Sequence, residues 1–375
     1  MQFRDLGKQY QILKSDIDKA MLDAVAQAHY IMGPQVKELE QELATYVGVK
    51  HCLTCANGTD ALTLALKVWG IGPGDAVFVP DFTFFSSAEV VSLEGATPVF
   101  VDVNNDTYNI DTESLESAIQ KTIAGGQLKP RVIVAVDLYG LPANYPVLKA
   151  IAQKYNLLIL EDGAQGFGGS INGKKACSFG DISTTSFFPA KPLGCYGDGG
   201  AVFTDNDEWA KLIESYRVHG KGTDKYDNVR IGMNSRLDTM QAAILQVKLR
   251  AFDDEVERVN EVARTYTRIL NKYVKTPVIP ESFRSSWAQY TIQLPNEATR
   301  NALQASLKEA GIPSMVYYPK TMHEQTAFAN VQCSMFNVQC PTAVRLCGTV
   351  LSLPMHPYLE TSDVEDICSK LIASL

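Results

Sequence analysis

The chain has 375 residues, which is long enough to bury a large core and to divide into a large and a small domain. Hydrophobic residues make up 46% and charged residues 20% of it, and the net charge is −8 without a basic tail. This composition is ordinary for a soluble globular protein and argues against nucleic acid as a partner. No apolar run approaches the roughly 20 residues that cross a bilayer, so we expect no membrane association.

The amino terminus and the elements that follow it predict a cytoplasmic α/β protein. Residues 1–5 lack the basic and apolar regions of a signal peptide. Periodic apolar residues predict helices, and short apolar runs between them predict strands. The predicted helices cover residues 12–30, 36–47, 61–68 and 86–93. The predicted strands cover residues 77–79, 99–101, 132–136 and 157–160.

This alternation predicts the fold class and the domains. Strands separated by helical crossovers indicate an α/β fold with a mainly parallel central sheet flanked by helices. Residues 238–270, rich in Ala, Leu, Val and Glu, predict one long helix that leads out of this domain. We therefore expect a large domain over residues 1–245, with an N-terminal helical segment, and a smaller C-terminal α/β domain over residues 246–375. Ligands bind at the carboxyl ends of such strands, where Asp137 and Asp162 stand.

Lys191 and Asp162 together predict pyridoxal phosphate chemistry. Lys191 lies between two prolines in a predicted turn after another strand, and Asp162 follows the apolar run 157–160. A lysine can form the Schiff base with the cofactor, and an aspartate keeps the pyridine nitrogen protonated so that the ring accepts electrons. Either residue alone would be interpreted as a solvated lysine or a buried acid. Their combination with phosphate-type segments favours catalysis.

Three further segments have the residue types of cofactor contacts. Residues 57–60, Asn-Gly-Thr-Asp, precede a predicted helix, so their N–H groups and the Thr59 hydroxyl could hold a phosphate. The alternative is an ordinary N-cap by Thr59 or Asp60. Ser186 could supply a second hydroxyl, and Phe84 could stack on the pyridine ring, although aromatic residues there are more often core. No Gly-x-Gly-x-x-Gly follows a strand, so a nicotinamide cofactor is poorly supported.

The eight cysteines indicate neither a disulfide framework nor a metal site. Cys52 and Cys55 form a single Cys-x-x-Cys, without a second pair at metal-ligand spacing. We therefore expect reduced structural thiols and no bound metal. A redox or zinc role for this pair is the alternative.

Five motifs, in order and spread over most of the chain, carry a resemblance to a known family. They are Tyr30–Pro34, Ala56–Leu62, Glu161–Gln165, Ser186–Gly194 and Asn234–Ala243. With them the chain resembles the DegT/DnrJ/EryC1/StrS sugar aminotransferases. These are fold type I pyridoxal phosphate enzymes that install amino groups on nucleotide-linked keto sugars.

The resemblance implies a role for each matching residue. Lys191 would be the Schiff-base lysine, Asp162 the pyridinium partner, and Gln165 a hydrogen-bond partner of the ring's phenolic oxygen. The other implied cofactor contacts are Gly58, Thr59, Asp60, Phe84 and Ser186. Asn234 would reach the phosphate from the neighbouring subunit, and Arg236 would line the same shared site. The implied assembly is a homodimer with shared active sites.

The resemblance also implies the reaction and a substrate class. The amino donor would be L-glutamate, leaving as 2-oxoglutarate, and the acceptor would be a nucleotide-linked keto sugar. Residues 187–200, 234–238 and 352–359 most resemble enzymes that aminate C3 of UDP-2-acetamido-2-deoxy-3-oxo-D-glucuronate, on the route to bacterial surface polysaccharides such as O-antigen. A dTDP-3-oxo-6-deoxyhexose and a UDP-4-oxo sugar are the alternative acceptors.

One departure from the family pattern falls in the substrate region. Many relatives have His-Tyr-Pro where this chain has Tyr317-Tyr318-Pro319, so a phenol replaces an imidazole. A phenol can donate a hydrogen bond but carries no charge near neutral pH. Tyr317, Tyr318 and the nearby His323 are the substrate-binding candidates. A surface-loop residue is the alternative interpretation of His323.

Two other functions share parts of this pattern. A pyridoxal phosphate-dependent sugar dehydratase on the same fold typically has histidine in place of the Schiff-base lysine, and Lys191 argues against it. A non-catalytic binding or regulatory homologue would have no reason to retain Lys191, Asp162 and Gln165 together.

Overall fold

Helices and strands alternate through most of the chain, as a computed structural model of residues 1–224, 226–329 and 339–375 describes it. The helices are α1 Leu6–Gln27, α2 Pro34–Val47, α3 Gly58–Val68, α4 Ser86–Leu93, α5 Thr112–Gly125, α6 Tyr145–Tyr155, α7 Asp207–Tyr216, α8 Thr239–Leu270, α9 Glu297–Glu309, α10 Pro341–Thr349 and α11 Thr361–Ala373. The strands are β1 His51–Cys55, β2 Asp75–Pro80, β3 Thr97–Val101, β4 Lys129–Val136, β5 Leu158–Asp162, β6 Ser170–Ile171, β7 Lys174–Lys175, β8 Ile182–Ser186, β9 Gly200–Thr204, β10 Phe283–Arg284, β11 Tyr290–Gln293 and β12 Val350–Leu353. Short 3-10 turns lie at Leu138–Gly140 and Thr326–Phe328.

A seven-stranded sheet in the order β1-β9-β8-β5-β4-β2-β3 forms the centre of residues 51–204. Strands β3, β2, β4, β5 and β8 run parallel, and β9 lies antiparallel between β8 and β1. Alternate residues of β2 enter two separate cores, Val77 and Val79 on one face and Ala76 and Phe78 on the other. Because helices cover both faces, the strand is buried throughout and is apolar after Asp75. The predicted α/β class with a mainly parallel sheet is confirmed.

The predicted bounds of the first helix are wrong at both ends. We expect residues 12–30 from the sequence, whereas α1 covers Leu6–Gln27. The Asp5 side chain accepts a hydrogen bond from the Lys8 N–H at 2.8 Å and starts the helix, and Ala28 ends it with a φ of 53°. The other predicted elements coincide with α2–α4, α8 and β2–β5 to within three residues at each end.

Helix α8 connects two hydrophobic cores. Its first half contributes Ala242, Leu245 and Phe252 to a core shared with α2. Its second half contributes residues from Val259 onward to a core with β11, β12, α9 and α11. The boundary that we expect between residues 245 and 246 falls inside this helix, and the two-domain division stays a prediction.

The structure also bears on membranes, metals and thiols. In residues 1–224, 226–329 and 339–375, no helix has both the length and the apolar character that crossing a membrane requires. Over the same ranges no group of three metal-binding side chains comes together. Cys52 and Cys55 are free and buried in β1, and burial raises the pKa of both thiols, that of Cys55 to about 12. Cys333 lies outside the described residues.

Candidate functional site

A cavity of about 690 Å³ opens at the carboxyl ends of β5 and β8, the edge at which ligands bind in such sheets. The two strands end at Asp162 and Ser186, and both residues line the cavity. The predicted site residues in its lining are Gly58, Thr59, Asp60, Phe84, Asp162, Gln165, Ser186, Lys191, Tyr317 and Tyr318. The predicted residues outside the lining are Asn234, Arg236 and His323.

Asp162 is a buried carboxylate of the cavity, with 5% of its surface exposed. It is the last residue of β5. The Ser87 hydroxyl donates a hydrogen bond to Asp162 Oδ2 at 2.7 Å, and the Ala164 N–H donates to Oδ1 at 3.2 Å. One donor to each oxygen fixes the plane of the carboxylate, which is what a partner for a ring nitrogen needs.

Lys191 approaches the same cavity from the turn after β8. Its backbone N–H donates to the Phe188 carbonyl at 2.8 Å, and Pro192 restricts the chain directly after it. Burial lowers the pKa of the Lys191 amine, the Asp162 carboxylate opposes this shift, and the Arg4 guanidinium adds to it. A lowered pKa increases the fraction of neutral amine, which is the form that attacks a carbonyl carbon.

The N-terminus of α3 lies beside the end of β8. Asn57 caps this helix, because its backbone is extended and its Oδ1 accepts from the Asp60 N–H at 2.8 Å. The alternative that Thr59 or Asp60 is the cap is therefore wrong. Gly58 permits a close approach, since a Cβ at this position would lie 2.7 Å from the Cβ of Ser186. The first-turn N–H groups and two hydroxyls thus line one end of the cavity, an arrangement that binds phosphate.

Gln165 and two aromatic side chains form another part of the wall. The Gln165 amide donates to the Tyr318 hydroxyl at 3.0 Å, and its carbonyl oxygen accepts from the Tyr139 N–H at 2.7 Å. The ring centroids of Phe84 and Tyr318 lie 6.2 Å apart. Phe84 is 52% exposed, so it is not a core residue, whereas Phe82 two positions earlier is fully buried. Phe84 therefore presents an open ring to the cavity.

Asn234 and Arg236 lie on a segment ahead of α8, outside the cavity lining. The Arg236 guanidinium donates to Asn234 Oδ1 at 2.6 Å. Between them, the Ser235 hydroxyl accepts from the Ala56 N–H at 3.1 Å, which holds the segment close to the start of α3. The action of these two side chains in a neighbouring subunit stays a prediction.

His323 lies outside the lining and is bound to Asp81. Its Nδ1 lies 2.6 Å from Asp81 Oδ2, and its backbone N–H donates to Asp81 Oδ1 at 2.9 Å. The hydrogen bond to Asp81, which is fully buried, raises the pKa of the imidazole. His323 therefore joins the segment that carries Tyr317 and Tyr318 to the loop that carries Phe84.

Three residues that contact the site residues are not predicted from the sequence. Ser87 donates to Asp162, Tyr139 donates through its backbone to Gln165, and Arg4 donates to the Lys191 carbonyl at 2.8 Å. Each contact joins positions at least 26 residues apart. A serine in a predicted helix or an arginine near the amino terminus carries no local signal of such a contact.

The lining fits pyridoxal phosphate. Asp162 offers a buried, oriented carboxylate to a pyridine nitrogen, and Lys191 offers an amine in the same cavity. Gly58 lets the N–H groups at the start of α3 lie directly against the end of β8, because any larger side chain would collide with Ser186. Phe84 provides an exposed ring for stacking.

Two relatives with assigned reactions are similar along the whole chain. One is a Pseudomonas aeruginosa protein named UDP-2-acetamido-2-deoxy-3-oxo-D-glucuronate aminotransferase, 43% identical over 372 residues that cover 99% of both chains. The other is an Acidithiobacillus ferrooxidans protein named as a 3-aminotransferase of UDP-N-acetyl-3-dehydro-alpha-D-glucosamine, 40% identical over 99% of this chain and 97% of that one.

A solved structure and a family description agree with these relatives. The crystal structure of a DegT DnrJ EryC1 StrS aminotransferase from Brucella abortus has a TM-score of 0.95 and 48% identity, over 99% of this chain and 98% of that one. Residues 11–372 match the sequence model of the DegT/DnrJ/EryC1/StrS aminotransferase family. The resemblance expected from the motifs is confirmed, and the chain belongs to the DegT/DnrJ/EryC1/StrS aminotransferase family.

Proposed function

We propose that this chain is a pyridoxal 5'-phosphate-dependent aminotransferase that moves an amino group from L-glutamate to C3 of UDP-2-acetamido-2-deoxy-3-oxo-D-glucuronate. The observation that carries the proposal is the 43% identity, over 99% of both chains, with the Pseudomonas aeruginosa protein of that name. The Lys191 amine and the Asp162 carboxylate in one cavity support the same chemistry. The reaction would take place in the cytoplasm and serve the synthesis of a surface polysaccharide such as O-antigen.

Lys191 and Asp162 would carry the chemical step. Bound pyridoxal phosphate would supply a ring that accepts electron density from the substrate carbon. Lys191 would hold the cofactor covalently at rest and, when the amino donor displaces it, take up and return the proton at the reacting carbon. Its lowered pKa favours the neutral amine that this proton transfer needs. Asp162, oriented by Ser87, would keep the ring nitrogen protonated.

The remaining lining residues would orient the cofactor. The first turn of α3, with Gly58, Thr59 and Asp60, and the Ser186 hydroxyl would bind its phosphate end. Gln165 would donate to the phenolic oxygen of the ring and Phe84 would cover one ring face. Such fixed contacts hold the reacting atoms in one geometry, which is a large part of enzymatic rate acceleration.

We further propose a homodimer in which Asn234 and Arg236 complete the neighbouring subunit's site. The described lining holds three carboxylates and one cation, Lys191, whereas the cofactor and the nucleotide sugar both bring phosphate groups. Positive charge from a neighbouring subunit would complement these phosphate groups. Large apolar side chains near the segment are exposed, 53% for Val229 and 90% for Ile231, which is typical of a surface that another protein covers.

A second acceptor is favoured by a specific observation. The Acidithiobacillus ferrooxidans relative is named for a 3-keto sugar without the C6 carboxylate of a uronate. Among the described residues of the lining there is no arginine to bind such a carboxylate, and the Tyr317 phenol carries no charge near neutral pH. UDP-N-acetyl-3-dehydro-glucosamine is therefore the second candidate, and a dTDP-3-oxo-6-deoxyhexose and a UDP-4-oxo sugar stay as alternatives.

The test is an amination assay with acceptors that differ in one group. UDP-2-acetamido-2-deoxy-3-oxo-D-glucuronate and UDP-N-acetyl-3-dehydro-glucosamine would be incubated with L-glutamate and the purified protein, and amino sugars would be measured by mass spectrometry. We expect the uronate to have a kcat/KM higher by at least about tenfold, which corresponds to about 1.4 kcal/mol. The Lys191→Ala variant is the control and should form no product.

Each outcome of this assay selects one function. A kcat/KM that favours the acceptor without the carboxylate would transfer the assignment to the second candidate. The same assay is repeated with a dTDP-3-oxo-6-deoxyhexose and a UDP-4-oxo sugar, and product from one of these alone would contradict both UDP-3-oxo acceptors. If the protein aminates none of these keto sugars in the presence of glutamate, the proposed activity is refuted.

A further inference from the structure

Arg4 joins the amino-terminal segment to the turn that carries Lys191. Its Nη2 donates to the carbonyl oxygen of Lys191 at 2.8 Å and to that of Pro192 at 3.2 Å. The guanidinium group is planar and holds its donors in a fixed geometry, so it restrains the direction of the main chain as well as its position. The restraint acts on the peptide groups directly after the lysine.

Two side chains of α8 hold the rest of this turn. The Lys248 amine donates to the Gly194 carbonyl at 2.7 Å. Gln241 accepts from the Tyr196 N–H at 2.8 Å and donates to the Tyr196 carbonyl at 3.4 Å. These donors lie on a long helix and contact the far end of the turn. Arg4 contacts the main chain of the lysine itself.

The same amino-terminal segment also contacts the substrate side of the cavity. The rings of Phe3 and Tyr317 meet edge to face with centroids 6.2 Å apart, and Tyr317 lines the cavity. The Phe3 carbonyl accepts from the Met355 N–H at 3.0 Å, which ties the segment to the C-terminal part of the chain. Arg4 therefore lies between the lysine turn and a wall of the substrate space.

Burial of Arg4 disfavours its charged form, and an acidic neighbour opposes this effect only in part. Burial lowers the pKa of Arg4, and the negative charge of Glu255 opposes this shift. Glu255 is also occupied by other donors, because it accepts from the Gln9 amide at 3.0 Å and from the Tyr358 hydroxyl. An arginine side chain still carries its positive charge near neutral pH, and the Arg4 guanidinium is held by the carbonyls of the lysine turn.

We propose that Arg4 is a positioning residue for the reaction of Lys191, holding the main chain of the lysine turn and acting on the amine through its charge. The inference rests on the proposed role of Lys191. The charged groups that face the amine are Asp162, which favours its protonated form, and Arg4, which favours its neutral form. Arg4 would therefore fix the position of the lysine main chain and increase the fraction of the amine that is neutral and able to react.

Two variants separate charge from geometry. Arg4→Gln removes the charge, and Arg4→Lys retains the charge but not the planar donor that reaches two carbonyls. The first measurement uses full-length protein freed of cofactor and follows, at a series of pH values, the rate at which added pyridoxal phosphate gives the visible absorption of a covalent adduct. Because the neutral amine reacts, the pH midpoint of this rate reports the Lys191 amine.

The expected shifts differ between the variants. Arg4→Gln should move the midpoint upward by about 0.5–1 unit, since a nearby like charge no longer disfavours protonation. Arg4→Lys should leave the midpoint in place. With the loaded enzyme, both variants should lower kcat by about tenfold while KM for the nucleotide sugar stays within about threefold, the pattern of a lost transition-state interaction.

Two controls keep the outcomes distinct. Lys8→Gln removes an exposed charge from the first turn of α1, four residues after Arg4, and should change neither the midpoint nor kcat. Lys191→Ala should form no adduct, and an adduct in that variant would refute the role of Lys191 rather than that of Arg4. An unmoved midpoint in Arg4→Gln, or an unchanged kcat in both variants, overturns the proposal. A loss of kcat that follows a fall in Tm, with the midpoint unmoved, would assign Arg4 to structure alone and also overturns it.

Discussion

The hydrogen bond from Ser87 to Asp162 can be removed without touching the carboxylate. The two oxygens lie 2.7 Å apart, and the residues are 0% and 5% exposed. The Thr83 hydroxyl lies 3.3 Å from the Ser87 hydroxyl, so a chain of hydroxyl groups leads to the carboxylate. In Ser87→Ala, Asp162 retains the Ala164 N–H on Oδ1 and loses its donor on Oδ2.

The size of the effect follows from burial and charge. A hydrogen bond to a charged group contributes about 1.5–3 kcal/mol. If this contribution orients the carboxylate for the reaction, kcat should fall by about tenfold to hundredfold in Ser87→Ala. Tm should also fall, because Asp162 Oδ2 is left without its donor in a buried position. The matched control is Ser92→Ala in the same helix, whose hydroxyl is buried without a partner among the described residues.

The assay is a double-mutant cycle on Tm, accompanied by kcat of the single variants. Ser87→Ala should lower Tm clearly in the parent and less in an Asp162→Asn background, where the charge that strengthened the hydrogen bond is absent. Ser92→Ala should leave both Tm and kcat near the parent values. Equal losses of Tm from Ser87→Ala in the two backgrounds, or a parental kcat, would refute the reasoning.

Three further predictions concern the amine, the pH dependence and the assembly. Lys191→Ala should bind pyridoxal phosphate without its covalent absorption band and lose turnover by several orders of magnitude; near-parental turnover would contradict its role. Because the pKa of His323 is raised, its contact with Asp81 stabilises the fold fully below about pH 6.5, and this stabilisation is lost as pH rises through the folded-state pKa. The difference in Tm between the parent and His323→Gln should therefore shrink from pH 6 to pH 9. A constant difference would contradict this expectation. Mixing the inactive variants Lys191→Ala and Arg236→Ala should restore at most about a quarter of parental activity, because about half the dimers are mixed and each mixed dimer has one intact site. Native mass spectrometry must show that the subunits exchange. If they exchange and no activity returns, Arg236 acts in the site of its own subunit.

The sequence predicts the buried strands that consist mainly of apolar residues. Strands β2–β5 contain continuous Val, Ile, Leu and Phe and are found where expected. The sequence indicates neither β1 nor β9, and it predicts β8 only as a strand of unspecified bounds before Lys191. Strand β8 is Ile-Ser-Thr-Thr-Ser and is buried throughout. Its hydroxyls are satisfied by partners far along the chain, as when Thr184 donates to the Glu161 carbonyl at 3.1 Å, so hydrophobicity could not reveal it.

The site divides in the same way. Contiguous sequence motifs indicate Asp162, Gln165 and Lys191, and these residues line one cavity. The sequence does not indicate Ser87 or Arg4, because their importance arises from hydrogen bonds that only the folded chain creates. A pattern in sequence can specify which groups perform chemistry. The groups that orient them depend on packing between distant segments.

The charges of the cavity lining bear on how the site would distinguish its substrates. One described cation, Lys191, faces three carboxylates in the lining, yet a nucleotide sugar and a cofactor phosphate must both be bound there. Specificity is a difference between the affinities for two substrates. Positive charges from outside the lining would raise the affinity for every anionic substrate alike. Tyr317 and Tyr318 would distinguish substrates by shape and by hydrogen bonding. The amine step can therefore be shared by relatives with different sugars. Differences among their acceptors would arise from neutral wall residues and from the contacts that hold them, such as the edge of Phe3 against Tyr317.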